Sequence, residues 1–330
     1  MQDWVEIAAT KSFDEGMAAE RDIFVKCRDS EQSKAQRHLF FAEREAAKVK
    51  DVGKDVAKRP IETAAIVGCG TMGGGIAMCF ANAGIPVKVL ETSEEALKAG
   101  MAKVEKNYAA TVSKGRLSQD AMDTRMGLIS GVTDYADIGS ADIVVEAVFE
   151  EMDLKKDIFG KLDAVMKQGA ILATNTSTLD VDEIASATKR PEDVIGTHFF
   201  SPANVMKLME NVRGKETAKD VIATVMDLGK RIAKIPVLVG NCDGFVGNRM
   251  YHRYTRQAYF LIEEGALPQQ VDKVFLDFGF AMGPMAVGDL AGLDVSYLVR
   301  QRQKQFIQPG ERWPVVADRV VEAGRKGQKN

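Results

Sequence analysis

Two rhythms of hydrophobic positions divide this 330-residue chain. Between Ile61 and Gly240, short apolar runs rich in β-branched residues alternate with stretches whose apolar residues recur at helical spacing. The runs predict strands at 64–67, 86–90, 141–148, 170–173, 194–199, 206–212 and 236–240, with a weaker one at 132–135. Helices are expected from Met72, Ile76 and Phe80, from Ser93 toward Gly115, and after Ser118. Others follow at 150–166, 181–187 and 217–234, the last carrying Val221, Val225, Leu228 and Ile232. ADIVVEAV, at 141–148, is nearly continuous in its apolar character, as in a parallel strand covered on both faces. Beyond Asn241 the β-runs stop, and helical patterns separated by Gly and Pro take over. Residues 1–59 differ from both regions. Ser12 and Glu15 form a capping-box pair before Phe13, Met17, Phe24 and Cys27, and a second helical stripe follows Ser30 through Ala35, Leu39, Ala42 and Ala46. Two such helices cannot bury their stripes alone, so they are expected to dock on the body of the chain or on a partner.

The first strand runs into a glycine-rich turn, Gly68-Cys69-Gly70-Thr71-Met72-Gly73, and the second ends in Glu91, 23 residues beyond Gly68. Gly68 suits a sharp strand-to-helix turn, Gly70 lets a diphosphate approach the backbone, and Gly73 lets the helix pack close to the strand. The helix start at Thr71 and Met72 points unpaired N–H groups at the anion. Glu91 can accept hydrogen bonds from both adenosine ribose hydroxyls, and it would repel a 2′-phosphate, which favours NAD over NADP. Alternating strands and helices around this motif give an α/β, Rossmann-type doubly wound, mostly parallel sheet at 60–240. It is preceded by a helical linker (1–59) and followed by an all-α C-terminal domain (241–330), and its ligand belongs beyond the carboxyl ends of the strands.

Composition narrows the picture modestly. The chain is 45% apolar and 28% charged with a net charge of −3, which gives no general attraction to nucleic acid or anionic membrane. No apolar run reaches membrane-spanning length, and MQDWVEIAAT lacks the regions of a signal peptide, so a cytoplasmic protein is expected. Cys27, Cys69, Cys79 and Cys242 form no C-x-x-C pair and read as free thiols rather than a zinc site or disulfide frame.

Candidate catalytic groups should follow strands at the cofactor's edge of the sheet. Asn175-Thr176-Ser177-Thr178 follows ILA, and His198 lies near the end of VIGTHFF. Glu210 comes close enough in the chain for a return strand to set it beside the imidazole, the usual way to hold one tautomer. On position alone His198 could equally be a satisfied core histidine and Ser177 a turn residue. No G-x-S-x-G elbow surrounds Ser177, which argues against a hydrolase. His38 and His252 read as non-catalytic.

GCGTMGGGIA, VVEAVFE, NTSTL, GTHFFSPANVMKLMENV, DGFVGNR, GFAMGPM and DLAGLDV together resemble the L-3-hydroxyacyl-CoA dehydrogenase family, in order and spacing, from about residue 61 to 325. Residues 12–59 resemble the hydratase tail and linker helix of multifunctional fatty-acid β-oxidation enzymes. The resemblance implies reversible oxidation of an (S)-3-hydroxyacyl-CoA to the 3-ketoacyl-CoA with NAD. His198 would then be the general base and Glu210 its orienting partner. Ser177 and Asn248 would hydrogen-bond the substrate's C3 oxygen, and Glu150 and Lys155 would lie near the ribose–nicotinamide end of the cofactor. It also implies an acyl-CoA thioester partner and a homodimer through the helical C-terminal domain, or contact with further domains of a larger enzyme. The chain departs from the family in carrying no hydratase half, so no hydratase activity is expected, and in stopping at GRKGQKN, where the family continues. Two rivals remain: a dehydrogenase of a free 3-hydroxy acid, for which no basic clamp is evident, and a non-catalytic NAD-binding fragment.

Overall fold

The structure, a computed structural model, describes residues 2–53 and 55–329. The chain divides into two compact units, one running to Phe245 and the other from Val246 onward. The division falls a few residues beyond the boundary expected at Gly240, and the N-terminal helices belong to the first unit.

Helices α1 (Gln2–Thr10), α2 (Phe13–Asp29) and α3 (Glu31–Ala46) open the chain; α1 was not foreseen. Glu15 accepts from the Ser12 amide at 3.2 Å, as the capping box requires. Ser30 caps α3 by accepting from the Ser33 amide at 3.2 Å. Neither α2 nor α3 has a buried residue, and Phe13, Phe24 and Phe41 are exposed. Among the described residues these stripes are left largely uncovered, although α3 does touch the strand Ile235–Gly240.

The sheet then assembles from β1 (Ala64–Val67), β2 (Val87–Leu90), β3 (Ile129–Val132), β4 (Ile143–Glu146), β5 (Ile171–Thr174), β6 (Val194–Phe199), β7 (Leu208–Arg213) and β8 (Ile235–Gly240). Its order is β3-β2-β1-β4-β5-β6-β7-β8. The first six strands are parallel in the 3-2-1-4-5-6 order of a doubly wound dinucleotide fold. β7 runs antiparallel to β6, and β8 runs parallel to β7.

Helices α4 (Thr71–Asn82), α5 (Glu94–Ser113), α6 (Gln119–Gly127), α7 (Met152–Val165), α8 (Val181–Ala185) and α9 (Lys219–Arg231) cover the sheet. Ile66 faces a core with Ile76 and Phe80 of α4, Val104 and Tyr108 of α5, and Val221 and Val225 of α9. Ala65 and Val67 face the opposite core, with Ile158, Phe159 and Leu162 of α7 and Ile184 of α8. Each fully buried Ile, Leu or Phe contributes roughly 1.5–3 kcal/mol of transfer free energy. The two-sided burial explains why the central strands read as continuous apolar runs.

The strand expected at 132–135 lies earlier, at β3, and Tyr135–Ile138 is a 3-10 turn capped by Asp134, which accepts from the Ala136 amide. Ser130 and Gly131 hid that strand from an apolar count. A Cβ on Gly131 would stand 2.6 Å from Leu97, so a small residue is needed beneath α5.

The second unit is helical, with α10 (Gly247–Glu263), α11 (Pro268–Phe278), α12 (Pro284–Ala291), α13 (Leu293–Gln303) and α14 (Val316–Glu322). Arg300 and Asp318, both buried, join α13 to α14 at 2.6 Å.

At the β1–α4 junction, Gly68 adopts φ +96°, and a Cβ on Gly73 would stand 1.8 Å from the Gly68 carbonyl oxygen. Gly70 has φ −69° and nothing within 4 Å of its Cβ position. Gly73→Ala should therefore destabilise the fold by about 1–3 kcal/mol or more, as overpacking does, while Gly70→Ala leaves the melting temperature nearly unchanged. Thermal unfolding of the two variants by circular dichroism checks the contrast.

Candidate active site

Three groups of residues gather where the parallel strands end, at the edge that a doubly wound sheet reserves for ligands. The first is the turn after β1. Its helix begins at Thr71 with Gly70 as N-cap, and Met72 lies in the first turn. Glu91, directly after β2, accepts from the Cys69 amide at 2.6 Å and from the Thr92 amide at 3.0 Å. One oxygen is thus held to the turn and the other to the backbone just after Glu91 itself. The open space beside Gly70 and the fixed carboxylate fit a dinucleotide's diphosphate and ribose. Burial, and then the Glu91 charge, push the Cys69 thiol up to about 11, so it stays protonated and inert at neutral pH. All four cysteines are free thiols in this structure. Gly100 was overlooked in the sequence: its Cβ would meet Cys69 at 2.5 Å, so α5 packs directly on the turn.

The second group is the loop after β5. Asn175 accepts from the Phe199 amide at 2.8 Å, tying this loop to the end of β6. One oxygen of Glu150, Oε1, faces the Thr176 hydroxyl at 2.7 Å, the Ser177 amide at 2.8 Å and the Ser177 hydroxyl at 3.0 Å. The Thr178 amide and hydroxyl lie at 3.0 and 3.1 Å. Burial alone would raise the Glu150 carboxyl, but Lys155 and the Thr176 and Ser177 donors more than offset it and hold the group below the ordinary carboxylate value. Lys155 is interior, with its ammonium 2.7 Å from Glu146 and 3.5 Å from Glu150. The structure thus brings Glu150, Lys155 and Ser177 into one network, whereas the family resemblance implied the cofactor for the first two and the substrate for Ser177.

The third group is the strand pair β6–β7. His198 and Glu210 are directly opposed in the antiparallel register. Their side chains are 6% and 2% exposed, and Nδ1 lies 2.9 Å from Glu210 Oε2. A carboxylate can only accept, so Nδ1 donates in this contact, and in the neutral imidazole Nε2 then carries the lone pair. Phe200 and Phe245 flank the imidazole, with centroids 4.4 and 5.8 Å away. Phe245 holds its ring there from φ +47°, a conformation rare for a bulky residue.

Asn248 lies near the start of α10, in the second unit. Among the described residues no group of three or more His, Cys, Asp or Glu side chains could hold a metal, and no helix is long and apolar enough to cross a membrane. Sequence reasoning missed Glu146, and it noted Asn175, Thr176 and Thr178 only as the stretch around Ser177, without a role for each. The signal for Glu146 was a charged residue inside ADIVVEAV, because a buried charge needs a partner.

Comparison with known proteins agrees with this geometry. Residues 63–242 match the family model described as 3-hydroxyacyl-CoA dehydrogenase, NAD binding domain, and residues 244–330 match its C-terminal domain. The chain is 44% identical, over 98% of its length, to the peroxisomal bifunctional enzyme of Cavia porcellus, of which it spans 47%. The structure of FadB2 from M. tuberculosis superposes with a TM-score of 0.79 at 35% identity, covering 82% of this chain and 97% of that one. (S)-3-hydroxybutyryl-CoA dehydrogenase from Ralstonia eutropha gives a TM-score of 0.77 at 35% identity, covering 82% and 96%.

The expectation of a cytoplasmic protein does not survive. Matched relatives from Cavia porcellus, Homo sapiens and Arabidopsis thaliana are named peroxisomal, and the lack of a leader-like N-terminus never bore on that compartment. With both domains matched in order, and with the glycine turn and the His198–Glu210 pair in place, this chain belongs to the 3-hydroxyacyl-CoA dehydrogenase family.

Proposed function

We propose that this chain catalyses the reversible, NAD-dependent oxidation of an (S)-3-hydroxyacyl-CoA to the 3-ketoacyl-CoA, as the dehydrogenase part of fatty-acid β-oxidation. The chain spans about half the length of the curated relatives it matches. The observation that carries the reading is the buried, in-register His198–Glu210 pair at the sheet edge that also bears the glycine turn.

NAD, when bound, supplies the hydride acceptor for the C3 carbon. The chain's own residues do the rest. The turn at Gly68, Gly70 and Gly73 and the helix start at Thr71 and Met72 hold the diphosphate, and Glu91 holds the adenosine ribose. His198 Nε2 takes the proton of the C3 hydroxyl. Glu210 keeps Nδ1 protonated and stabilises the imidazolium that results. Ser177 steadies the C3 oxygen, and Asn248 keeps the role that the family resemblance implies for it. Glu150 holds the Ser177 loop close to the nicotinamide end.

The second unit also leaves large apolar side chains exposed, with Phe278 at 84% and Leu298 at 71%. Such surface on a helical domain is usually covered by a partner. We assign that partner to the same domain of a second copy.

Two outcomes follow. Wild-type protein should oxidise NADH in the presence of acetoacetyl-CoA, and His198→Gln should lose roughly 10²-fold or more of kcat, as removal of a general base does. Equal rates in the two proteins would remove His198 from the mechanism, and NADH binding without turnover would leave a cofactor-binding scaffold. Light scattering coupled to size exclusion should show a dimer, and Phe278→Glu with Leu298→Glu should shift it to monomer; a monomeric wild type refutes the assignment.

A further inference from the structure

At the ligand edge, an aromatic side chain stands outside the packing. The loop after β4 is pinned along its length. The Ala147 amide donates to the Val67 carbonyl at 2.9 Å, the Val148 amide to Glu146 at 2.8 Å, and the Glu151 amide to the Phe149 carbonyl at 2.9 Å. Ala147 packs against one core of the sheet and Val148 against the other, as alternate residues leaving a strand do. Phe149 follows them and joins neither. It is 85% exposed, the most exposed phenylalanine among the described residues. The loop also lies against the glycine turn, because a Cβ on Gly68 would stand 3.0 Å from the Ala147 carbonyl oxygen and 3.3 Å from Val148.

We propose that Phe149 is a cofactor-binding residue, whose ring supplies the apolar contact for the nicotinamide ring of the dinucleotide. The proposal rests on the functional reading above and adds to it a side chain to which no role had been given.

An isolated exposed phenylalanine means little by itself, since apolar atoms make up much of any protein surface. Position distinguishes this one. The strands that carry the site run in the order β2-β1-β4-β5-β6, about 4.8 Å apart. Glu91, for the adenosine ribose, follows β2, and the turn for the diphosphate follows β1. His198 lies near the end of β6. To reach from the diphosphate toward His198, the nicotinamide passes the ends of β4 and β5, on the side of the turn away from Glu91. Phe149 stands one strand beyond the diphosphate in that direction. The carboxylates on either side of it are turned to other partners, Glu146 to Lys155 and Thr174, and Glu150 to the Ser177 loop. A flat ring system gains from an apolar neighbour, because water leaves both surfaces when they meet.

The test compares NADH with ADP-ribose, which keeps the adenosine, the diphosphate and the second ribose but lacks the nicotinamide. Affinities are read by fluorescence titration for NADH and by calorimetry for ADP-ribose, on wild type, Phe149→Ala, Phe149→Leu and Glu91→Ala. Phe149→Ala should weaken NADH about tenfold, as loss of a phenylalanine contact does, and leave ADP-ribose within about twofold of wild type. Phe149→Leu keeps an apolar contact and should fall between. Glu91→Ala should weaken both ligands alike, because it acts on the half they share. Melting temperatures of both Phe149 variants should match wild type, since so exposed a ring supports no core. The KM for acetoacetyl-CoA should move by no more than about twofold. NADH affinity unchanged in Phe149→Ala, an equal loss for ADP-ribose, or a rise confined to the KM for acetoacetyl-CoA would overturn the assignment of Phe149 alone. A wild type that binds neither ligand would instead overturn the functional reading, and this proposal with it.

Discussion

The contact between Gly73 and the Gly68 carbonyl is the constraint on which the rest of the structure depends. With no room for a methyl group between them, α4 lies directly on the end of β1, and its N-terminus opens onto the space beside Gly70. α5 then approaches through Gly100 onto Cys69, and Gly75 of α4 meets the backbone at Ala203, in the connection that follows His198. Three close approaches, each permitted by a missing side chain, draw the dinucleotide turn and the β6–β7 connection together.

Chemistry at this edge is divided by depth. The groups proposed to meet the ligand sit on loops or at strand ends, while those that aim them are buried. His198 owes its tautomer to Glu210, and the Ser177 loop is gathered by Glu150 above Lys155 and Glu146. Low-dielectric surroundings strengthen both arrangements, and they also make each depend on having every partner present.

Much of this was legible in the sequence. β1 and β6 match their expected limits, because an apolar run bounded by Thr63 and Gly68, or followed by polar turn residues after Phe200, has clear ends. The glycine spacing and Glu91 forecast the turn, and the spacing of His198 and Glu210 forecast a return strand, which β7 is. What was illegible depends on neighbours distant in sequence. β3 hides Gly131 under Leu97, and the partners of Glu146 come from β5 and α7. Phe245 reaches the imidazole through a backbone angle that no composition signals. The stripes of α2 and α3 were legible as patterns, but a pattern states only that a face is apolar, not that this chain covers it.

The reversal at β7 has one more consequence. In a parallel sheet each strand meets its neighbour after a helical crossover, whereas β6 and β7 meet through a short connection in which alternate residues point to opposite faces. A shift of one residue in their pairing would send the imidazole and the carboxylate to different sides of the sheet. The glycine turn, built on β1 and α4, would be untouched. With His198 and Glu210 in their proposed roles, such a slip would remove catalysis while the dinucleotide turn stayed formed, so activity and cofactor binding would part company.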